Sequence, residues 1–341
     1  MHQLRRLVLR GDGNEIIGFG HIFRLLALAD ILKNEYIITF VIDRASDSLK
    51  SIIHSYVHDI IELGNDFPYT LPGEKRVDDE IPFDLDRCLT GKEIVVTDGY
   101  WFGTKYQQAI KNTSTSLVCI DDLAGVYFCA DAVINHAPGV ERKRYEGANY
   151  TKFYLGLDYS VLRKVFFDPF PTQKKDEALF ISFGGSDHYN FTIKAVEQLI
   201  LSASKKKLHI LTFDYYSDLT KSKLDEFQAL YPDTIHLYRN LNGEELRQLL
   251  DQCTHALLSA STILLECYSR GLICLTGFYT ENQISIYNGF VKDNMAVGLG
   301  DFFHYNFSNI EQIMQNPVKV KKAEMPLNSI NNIKKIFSAV C

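Results

Sequence analysis

A glycine-rich loop near the start of the chain carries the residue types needed for acid–base chemistry on an oxygen-rich ligand. An apolar strand at residues 7–9 runs into a loop with four glycines, which leads into an amphipathic helix that begins near His21. Glycines let the backbone approach a ligand closely, and the free N–H groups of a helix N-terminus attract anions. An imidazole placed there is suited to act as a general base near neutral pH. The alternative is an ordinary strand–helix turn with an incidental surface histidine.

Two further loops in the first half of the chain place polar side chains after predicted strands. Asp98 and Tyr100 follow one such strand, together with the tryptophan Trp101. An aromatic cluster that caps a helix start is the alternative interpretation of this loop. Asp121 and Asp122 follow the next strand. Paired carboxylates could bind a metal ion, but such a pair after a strand more often caps a helix or stabilises a loop. We therefore predict no metal site.

The second half of the chain repeats the order of strand, glycine turn and helix at Gly184 and Gly185. Backbone N–H groups of this turn could face a phosphate, or the segment could be a tight turn without a ligand. It lacks the lysine of a phosphate-binding P-loop and the three-glycine dinucleotide fingerprint. ATP hydrolysis and NAD chemistry are therefore disfavoured, and we predict no cofactor.

A later strand is followed by hydroxyl residues that begin a predicted helix. Ser261 and Thr262 could donate hydrogen bonds to a diphosphate at the helix N-terminus. Glu266 lies four residues on, on the same helix face, where a carboxylate can accept both hydroxyls of a ribose. Without context the same pattern is an ordinary capping arrangement. After the next strand, the side-chain amides of Asn282 and Gln283 suit sugar hydroxyls and N-acetyl groups.

The elements that must position these loops alternate as strand and helix along the whole chain. Several strands are continuous Val/Ile/Leu runs, which are typical of parallel strands covered on both faces, and such sheets bind ligands outside the carboxyl ends of their strands. The alternation predicts an α/β fold with two doubly wound, Rossmann-like domains. We expect these domains at 1–165 and 177–328, with a boundary at 166–176 and a last helical segment, 329–341, that could cross back onto the first domain. The predicted strands are 5–10, 36–42, 59–63, 93–97, 116–120, 131–135, 178–183, 207–213, 234–238, 255–259 and 272–276, and the predicted helices are 20–33, 46–57, 104–112, 189–203, 217–230, 243–252 and 262–270.

Composition limits the remaining classes of function. The chain has 341 residues, of which 46% are hydrophobic, so it can form sizeable cores. Its net charge of −6 indicates neither a nucleic-acid partner nor a charged membrane surface. We expect no signal peptide, and no apolar run reaches the roughly 20 residues that a membrane helix needs. Seven scattered cysteines without a C-x-x-C pair favour buried thiols in a reducing cytoplasm over a metal site.

Taken in order, these loops resemble the family of bacterial UDP-2,4-diacetamido-2,4,6-trideoxy-β-L-altropyranose hydrolases of the pseudaminic acid pathway. No single motif is diagnostic, but the ordered set extends over about residues 5–290, including a matching segment at 154–163. The matching positions are Arg10, Asp12, Gly18, Gly20, His21, Arg24, Asp98, Tyr100, Asp121, Asp122, Gly184, Gly185, Asp187, Asn190, Thr192, Ser261, Thr262, Glu266, Asn282 and Gln283.

The resemblance implies a GT-B architecture, similar to that of the lipid II-forming glycosyltransferase MurG, with an active cleft between two Rossmann-like domains. It implies cleavage of a UDP-sugar by water at the anomeric carbon, with inversion and without a metal. We separately expect a monomer or weak oligomer. By that resemblance His21 is the base that activates water, and Tyr100 and Asn282 belong to the catalytic set and line the sugar site. The substrate-binding residues that it implies are Arg10, Asp12, Gly18, Gly20, Arg24, Asp98, Gly184, Gly185, Ser261, Thr262, Glu266 and Gln283.

Three function classes are compatible with these residues. A UDP-sugar hydrolase is the leading hypothesis, a GT-B glycosyltransferase with a UDP-N-acetylated sugar donor is the alternative, and a non-catalytic sugar-nucleotide binding module is the third. A transferase of the MurG type would need an apolar and basic membrane-facing patch, which the first 150 residues do not clearly contain. A binding module does not need the imidazole of His21. The proline-containing segment 64–91 could reshape the acceptor side, which leaves the exact sugar open.

Overall fold

The computed structural model describes residues 4–14, 17–65, 82–169, 177–185, 187–202, 204, 206–316, 319–321 and 328–340. The chain forms two compact units, of which the first comprises Met1–Lys164 together with Pro326–Cys341 and the second comprises Val165–Met325. Much of the segment 64–91, and much of the expected boundary at 166–176, lies outside the described residues.

The first unit is built on a seven-stranded parallel sheet. Its strands are β1 (Arg5–Gly11), β2 (Tyr36–Ile42), β3 (Asp59–Glu62), β4 (Ile94–Asp98), β5 (Ser116–Ile120), β7 (Ala132–Asn135) and β9 (Lys152–Leu155), while β6 (Tyr127–Phe128) and β8 (Glu146–Gly147) form a separate parallel pair. The order across the sheet is β3-β2-β1-β4-β5-β7-β9. The direction in which the chain adds strands therefore reverses between β1 and β4. Sheets of this kind bind ligands at the carboxyl ends of the strands beside such a reversal.

Aliphatic side chains fix the sheet of the first unit. Val8, Val95, Leu117 and Val133 lie on β1, β4, β5 and β7, belong to one core cluster, and are fully buried. Burying an aliphatic side chain of this size stabilises the folded state by roughly 1.5–3 kcal/mol. The helices between the strands are α1 (Gly20–Leu32), α2 (Asp47–His54) and α3 (Thr104–Asn112).

The second unit contains a six-stranded parallel sheet. Its strands are β10 (Ala178–Ser182), β11 (Lys207–Thr212), β12 (Ile235–Arg239), β13 (His255–Ser259), β14 (Ile273–Phe278) and β15 (Val297–Asp301), in the order β12-β11-β10-β13-β14-β15. The reversal here falls between β10 and β13. Its helices are α4 (Phe191–Leu201), α5 (Asp218–Leu230), α6 (Gly243–Gln252), α7 (Thr262–Ser269), α8 (Glu281–Lys292) and α9 (Ile310–Gln315).

The last helix, α10 (Ser329–Ala339), packs on the first unit. The Ser329 hydroxyl donates to the Leu157 carbonyl at 3.0 Å. Lys334 pairs with Glu35 at 2.5 Å, and the ring of Phe337 meets Tyr36 edge-on. Apolar and ionic contacts together hold the end of the chain beside α1 and β2.

The predicted alternation of strands and helices is confirmed, with differences at particular elements. The strand predicted to end at residue 276 continues to Phe278, and α8 begins three residues later, so Asn282 and Gln283 lie in its first turn instead of in a loop. The strand β15 was not predicted, because Gly298 and Gly300 interrupt its apolar pattern.

Candidate active site

Three loops start side by side at the reversal point of the first sheet. Gly11, the last residue of β1, pairs with Asp98 of β4, and Asp98 pairs in turn with Ile120 of β5. The loop after β1 leads to α1 and His21, and the loop after β5 begins with Asp121 and Asp122. The topology therefore brings residues of three separate sequence motifs to one edge of the sheet.

Glycines allow α1 to begin close to that edge. A Cβ atom on Gly11 would lie 2.5 Å from Cδ1 of Leu25 and 3.1 Å from the carbonyl oxygen of Asp98, so a larger residue would displace one of them. Gly18 has a φ angle of +75°, and its N–H donates to the Asn14 carbonyl at 2.9 Å. Apart from adjacent residues and the backbone of α1 itself, no described atom lies within 4 Å of a Cβ placed on Gly18 or Gly20. The chain therefore leaves room beside the start of α1.

His21 and Asp98 form a buried pair at this helix start. Nδ1 of His21 lies 2.7 Å from Oδ1 of Asp98, and the two residues are 5% and 0% exposed. An ionised carboxylate only accepts hydrogen bonds, so His21 donates through Nδ1 and its Nε2 carries the lone pair. A histidine oriented in this way by a carboxylate can accept a proton from a bound water or hydroxyl.

Arg24, one turn further along α1, bridges two carboxylates. Its Nε and Nη2 donate to the two carboxylate oxygens of Asp98 at 2.7 and 2.6 Å. Its Nη1 and Nη2 donate to those of Asp122 at 2.7 and 2.9 Å. Such bidentate pairs fix orientation as well as charge. The Arg24 guanidinium, predicted to bind substrate, is thus engaged within the first unit.

The charges of this network stabilise one another. Burial opposes the ionisation of Asp98, but the charge and hydrogen bonds of Arg24, with those of His21, lower the pKa of that carboxyl. Burial acts in the same sense on Asp122, and Arg24 again outweighs it, which lowers the pKa of Asp122 to about 2. Burial acts against the Arg24 charge as well, but Asp122 and Asp98 raise the pKa of the guanidinium well above its usual value. At neutral pH two negative charges therefore face one positive charge.

Two aromatic side chains border the imidazole. The ring of Tyr100 meets that of His21 edge-on with centroids 4.7 Å apart, and Trp101 does the same at 6.2 Å. The Tyr100 hydroxyl donates to Asp122 at 3.3 Å. The structure thus brings Tyr100 into the same cluster as His21, Arg24 and Asp98.

Arg10 and Asp12 form a second buried cluster below the glycine loop. Nη1 of Arg10 contacts Asp12 at 2.5 Å and Nη2 contacts Asp84 at 2.9 Å. The other oxygen of Asp12 accepts from the Asp43 N–H at 2.7 Å. Arg10 is 1% exposed and Asp12 is 3% exposed. Both side chains therefore fix the end of β1 from within the first unit.

In the second unit, the helix that follows β13 begins with hydroxyl residues. Ser261 is the N-cap residue of α7, but its side chain makes no capping hydrogen bond to the described part of the helix. The hydroxyl of Ser259, two residues earlier, is buried without a partner among the described residues. Thr262 starts the helix, and Glu266 lies one turn on and is 5% exposed. A helix start of this kind offers N–H and O–H donors to an anion.

The helix that follows the Gly184–Gly185 turn differs, because a carboxylate of the chain already occupies its N-terminus. The two oxygens of Asp187 accept from the N–H groups of Phe191 and Thr192, each at 2.9 Å. Burial raises the pKa of Asp187 to about 6. The amides of the glycine turn itself, rather than the start of α4, are therefore the groups able to meet a phosphate.

Asn282 and Gln283 lie in the first turn of α8, and Tyr279 connects the start of this helix to the Gly184–Gly185 turn. The Gln283 side chain accepts from the Tyr279 N–H at 3.0 Å, and Gln283 is 6% exposed. The Tyr279 hydroxyl donates to the Phe183 carbonyl at 2.9 Å, beside Gly184. Gln283 thus stabilises the junction of β14 and α8, while Asn282 is partly exposed.

Two buried residues near His21, Asp122 and His136, are not assigned a site role by the sequence analysis. Asp122 was interpreted as a loop contact, whereas it is the second partner of Arg24. His136 follows β7, is 1% exposed, and feels burial and the charge of Arg24, which lower its pKa to about 4. Its position after a strand of the same sheet was the signal that could have identified it.

The Asp121–Asp122 pair has internal partners. Asp121 accepts from the Ala124 N–H at 2.7 Å and from the Tyr145 hydroxyl at 3.0 Å, and burial raises its pKa. In the described part of the chain, no group of three His, Cys, Asp or Glu residues is arranged to hold a metal ion. None of the helices described there is long and apolar enough to span a bilayer.

Comparison with known proteins gives relatives of low identity, and no family model matches the chain. An uncharacterized protein of Methanocaldococcus jannaschii is 23% identical over 84% of this chain, which spans 58% of that relative's length. The UDP-2,4-diacetamido-2,4,6-trideoxy-beta-L-altropyranose hydrolase of Campylobacter jejuni is 25% identical, and the alignment covers 86% of this chain and 98% of the hydrolase. The spore coat polysaccharide biosynthesis protein SpsG of Bacillus subtilis is 22% identical, and the alignment covers 85% of this chain and 82% of SpsG.

Solved structures establish the fold. Acinetobacter baumannii MurG superposes with a TM-score of 0.59 at 13% identity, covering 98% of this chain and 99% of its own. A UDP-glucosyltransferase from Polygonum tinctorium gives 0.58 at 11% identity, covering 99% and 94%. The UDP-GlcNAc 2-epimerase of Methanocaldococcus jannaschii gives 0.54 at 12% identity, covering 98% and 99%. The chain has the GT-B fold with two Rossmann-like α/β domains, which confirms the predicted fold class.

Proposed function

We propose that the chain is a UDP-sugar hydrolase that releases UDP from UDP-2,4-diacetamido-2,4,6-trideoxy-β-L-altropyranose or a close analogue. The observation that carries the proposal is the buried pair of His21 and Asp98 at the start of α1, with Nδ1 and Oδ1 2.7 Å apart. This pair leaves Nε2 as a base beside a helix N-terminus. The Campylobacter jejuni relative, which aligns over 98% of its length, supports the substrate class.

In the proposed reaction, Nε2 of His21 takes a proton from water while the water oxygen bonds to the anomeric carbon. The bond between that carbon and the oxygen of the β-phosphate breaks, and UDP leaves with the electron pair. Attack on the side opposite the leaving group inverts the anomeric centre. Asp98 holds the imidazole in the required tautomer and stabilises the imidazolium as it forms. Tyr100 borders the reacting centre, 4.7 Å from the imidazole between ring centroids.

The second unit would bind the nucleotide. The hydroxyls of Ser261 and Thr262 and the N–H groups of α7 suit the diphosphate, because this helix start has no side-chain cap from Ser261 within the described chain. Glu266, one turn along, would accept the ribose hydroxyls. The amides of Gly184 and Gly185, and the partly exposed Asn282, are further donors for the phosphate and the sugar.

A GT-B glycosyltransferase is the second candidate, because a UDP-glucosyltransferase is among the fold relatives. In that case an acceptor hydroxyl takes the place of water. The chemistry at His21 would be the same, since the base would deprotonate the acceptor.

An isotope experiment tests the proposal. The protein is incubated with UDP-2,4-diacetamido-2,4,6-trideoxy-β-L-altropyranose in ¹⁸O-water, with and without saccharide acceptors. Mass spectrometry then shows which product contains ¹⁸O. Label in the free sugar is expected, with His21→Asn as the inactive control. Label in UDP or UMP would mean cleavage of a P–O bond, and turnover that requires an acceptor would mean transfer; either result overturns the proposed hydrolysis.

A further inference from the structure

We infer that Asp122 is a positioning residue that acts on His21 through Arg24: it sets the charge of the cluster so that proton uptake by His21 makes the cluster neutral. The cluster consists of His21, Arg24, Asp98 and Asp122. The catalytic consequence rests on the proposed function, whereas the charge around His21 does not depend on any substrate.

Geometry makes the four residues one electrostatic unit. Arg24 donates one hydrogen bond to each of the four carboxylate oxygens of Asp98 and Asp122, at 2.6 to 2.9 Å. Arg24 is 4% exposed, Asp98 is 0% exposed and Asp122 is 6% exposed. Because water screens these contacts poorly, each charge acts strongly on its neighbours.

The number of carboxylates decides what protonation of His21 costs. With Asp98 alone, the Arg24 pair would be neutral, and a proton on His21 would leave an uncompensated positive charge in a buried site. With Asp122 present, the resting cluster carries one extra negative charge, which the imidazolium cancels. The general base therefore gains its proton at the moment when the cluster loses its net charge.

Two further titratable groups near His21, Tyr100 and His136, carry no charge near pH 7. Tyr100, which follows β4, contributes an uncharged phenol that donates to Asp122. His136, which follows β7, is neutral because burial and the charge of Arg24 lower its pKa to about 4. The loop after β5 also carries Asp121, which is bonded to the Ala124 N–H and the Tyr145 hydroxyl. The charges linked to His21 by hydrogen bonds are thus those of Asp98, Arg24 and Asp122.

A charge-swap cycle tests the inference by its sign. Wild type, Asp122→Asn, Arg24→Gln and the double variant are labelled with ¹³C-histidine, and the titration midpoint of the His21 imidazole is followed by NMR without substrate, with His21→Asn to assign the resonance. Asp122→Asn should lower the midpoint by about one pH unit or more, and Arg24→Gln should raise it by a similar amount. The double variant, which restores the resting charge, should return towards the wild type.

Arg270→Lys is the matched control, because Arg270 is 0% exposed and pairs with both oxygens of Asp251 in the second unit. It should lower the unfolding midpoint without moving the His21 titration. A merely structural role predicts shifts of one sign in both single variants and no return in the double variant, and that result overturns the inference. If Asp122→Asn does not fold, Arg24→Gln and the double variant still show the sign of the shift in the His21 titration midpoint.

The pH at which kcat/KM falls on the acid side should shift among the variants in the same order as the NMR midpoints. Failure of the proposed function is distinguishable from failure of the inference. Ordered midpoints in proteins that release no UDP would reject the hydrolase and keep the charge mechanism. Label in the free sugar together with unchanged NMR midpoints in the variants would keep the hydrolase and reject the charge mechanism.

Discussion

At the scale of single residues, His21 and Asp98 make a direct kinetic prediction. Asp98→Asn removes the charge that holds the Nδ1 proton, since the Asn amide can donate to Nδ1 and turn Nε2 into the protonated nitrogen. We expect kcat for UDP release to fall by on the order of 10²–10⁴, as for His21→Asn. The dissociation constant for UDP, measured by calorimetry, should stay within about threefold, because the nucleotide contacts proposed here lie on α7. Near wild-type turnover in either folded variant would contradict a base at His21.

A metal-removal experiment tests the neighbouring carboxylates. Asp121 is bonded to the Ala124 N–H and Tyr145 hydroxyl, and Asp122 to Arg24, so both have partners that a metal ion would have to displace. We expect the rate of UDP release to survive exhaustive EDTA treatment. Loss of activity that Mg²⁺ or Mn²⁺ restores would instead make the two carboxylates metal ligands.

Part of this cluster could be predicted from sequence because a parallel sheet dictates it. Asp98 ends β4, Tyr100 follows it and His21 follows the loop after β1, and the carboxyl ends of adjacent strands share one edge. The bond from Arg24 to Asp122 joins residues 98 positions apart, and nothing in either motif specifies that pairing. Arg24 is therefore the centre of a buried charge network, and its contact with substrate stays a prediction.

At the scale of elements, the starts of α7 and α4 differ in what occupies them, and this difference predicts where UDP binds. Glu266→Ala should weaken UDP binding by about 10- to 100-fold, the loss expected for hydrogen bonds to a charged group. It should raise KM much more than it lowers kcat, because a ribose contact acts equally in ground and transition states. Calorimetry with UDP measures the first effect, and initial rates measure the second.

Two control variants separate this effect from general damage. Glu226→Ala removes the same charge from an exposed position on α5 and should leave UDP affinity unchanged. Asp187→Ala removes the cap of α4 and should lower the free energy of unfolding by about 0.5–2 kcal/mol while sparing UDP affinity. A large loss of UDP affinity in Asp187→Ala, with none in Glu266→Ala, would move the nucleotide from α7 to α4.

Element boundaries show where local sequence stops being informative. The helix α7 follows its pattern because an apolar strand ends in serines directly before it. The helix α8 contains Asn282, Asn288 and Gly289, which have poor helix propensity, so tertiary packing rather than local preference decides it. That packing places Asn282 and Gln283 on a helix turn, which a loop interpretation could not provide.

At the scale of the whole molecule, one buried residue in each unit, His136 in the first and Asp187 in the second, should make stability depend on pH in opposite directions. In the first unit, burial and the charge of Arg24 lower the pKa of His136 from 6.5 to about 4. Between these values the unfolded chain binds a proton that the folded unit does not, so stability falls as the pH drops from 6.5 to 4. In the second unit, burial raises the pKa of Asp187 from 3.8 to about 6. There the folded unit binds the extra proton, so stability falls as the pH rises from 3.8 to 6.

Each shift corresponds to about 3 kcal/mol across its window, so the contributions of His136 and Asp187 nearly cancel in a measurement on the whole chain. A unit-resolved measurement separates them: the fluorescence of Trp101, the chain's one tryptophan, reports on the first unit, and hydrogen exchange of β10 and β13 amides reports on the second. In urea titrations between pH 4 and 6.5, His136→Gln should flatten the rise of first-unit stability with pH, and Asp187→Asn should flatten the fall in the second unit. Equal slopes in wild type and variant would mean that the residue concerned titrates alike in the folded and unfolded chain. A rise and a fall that each flatten with one substitution would show that His136 and Asp187, in two Rossmann-like halves of similar topology, make stability depend on pH in opposite senses.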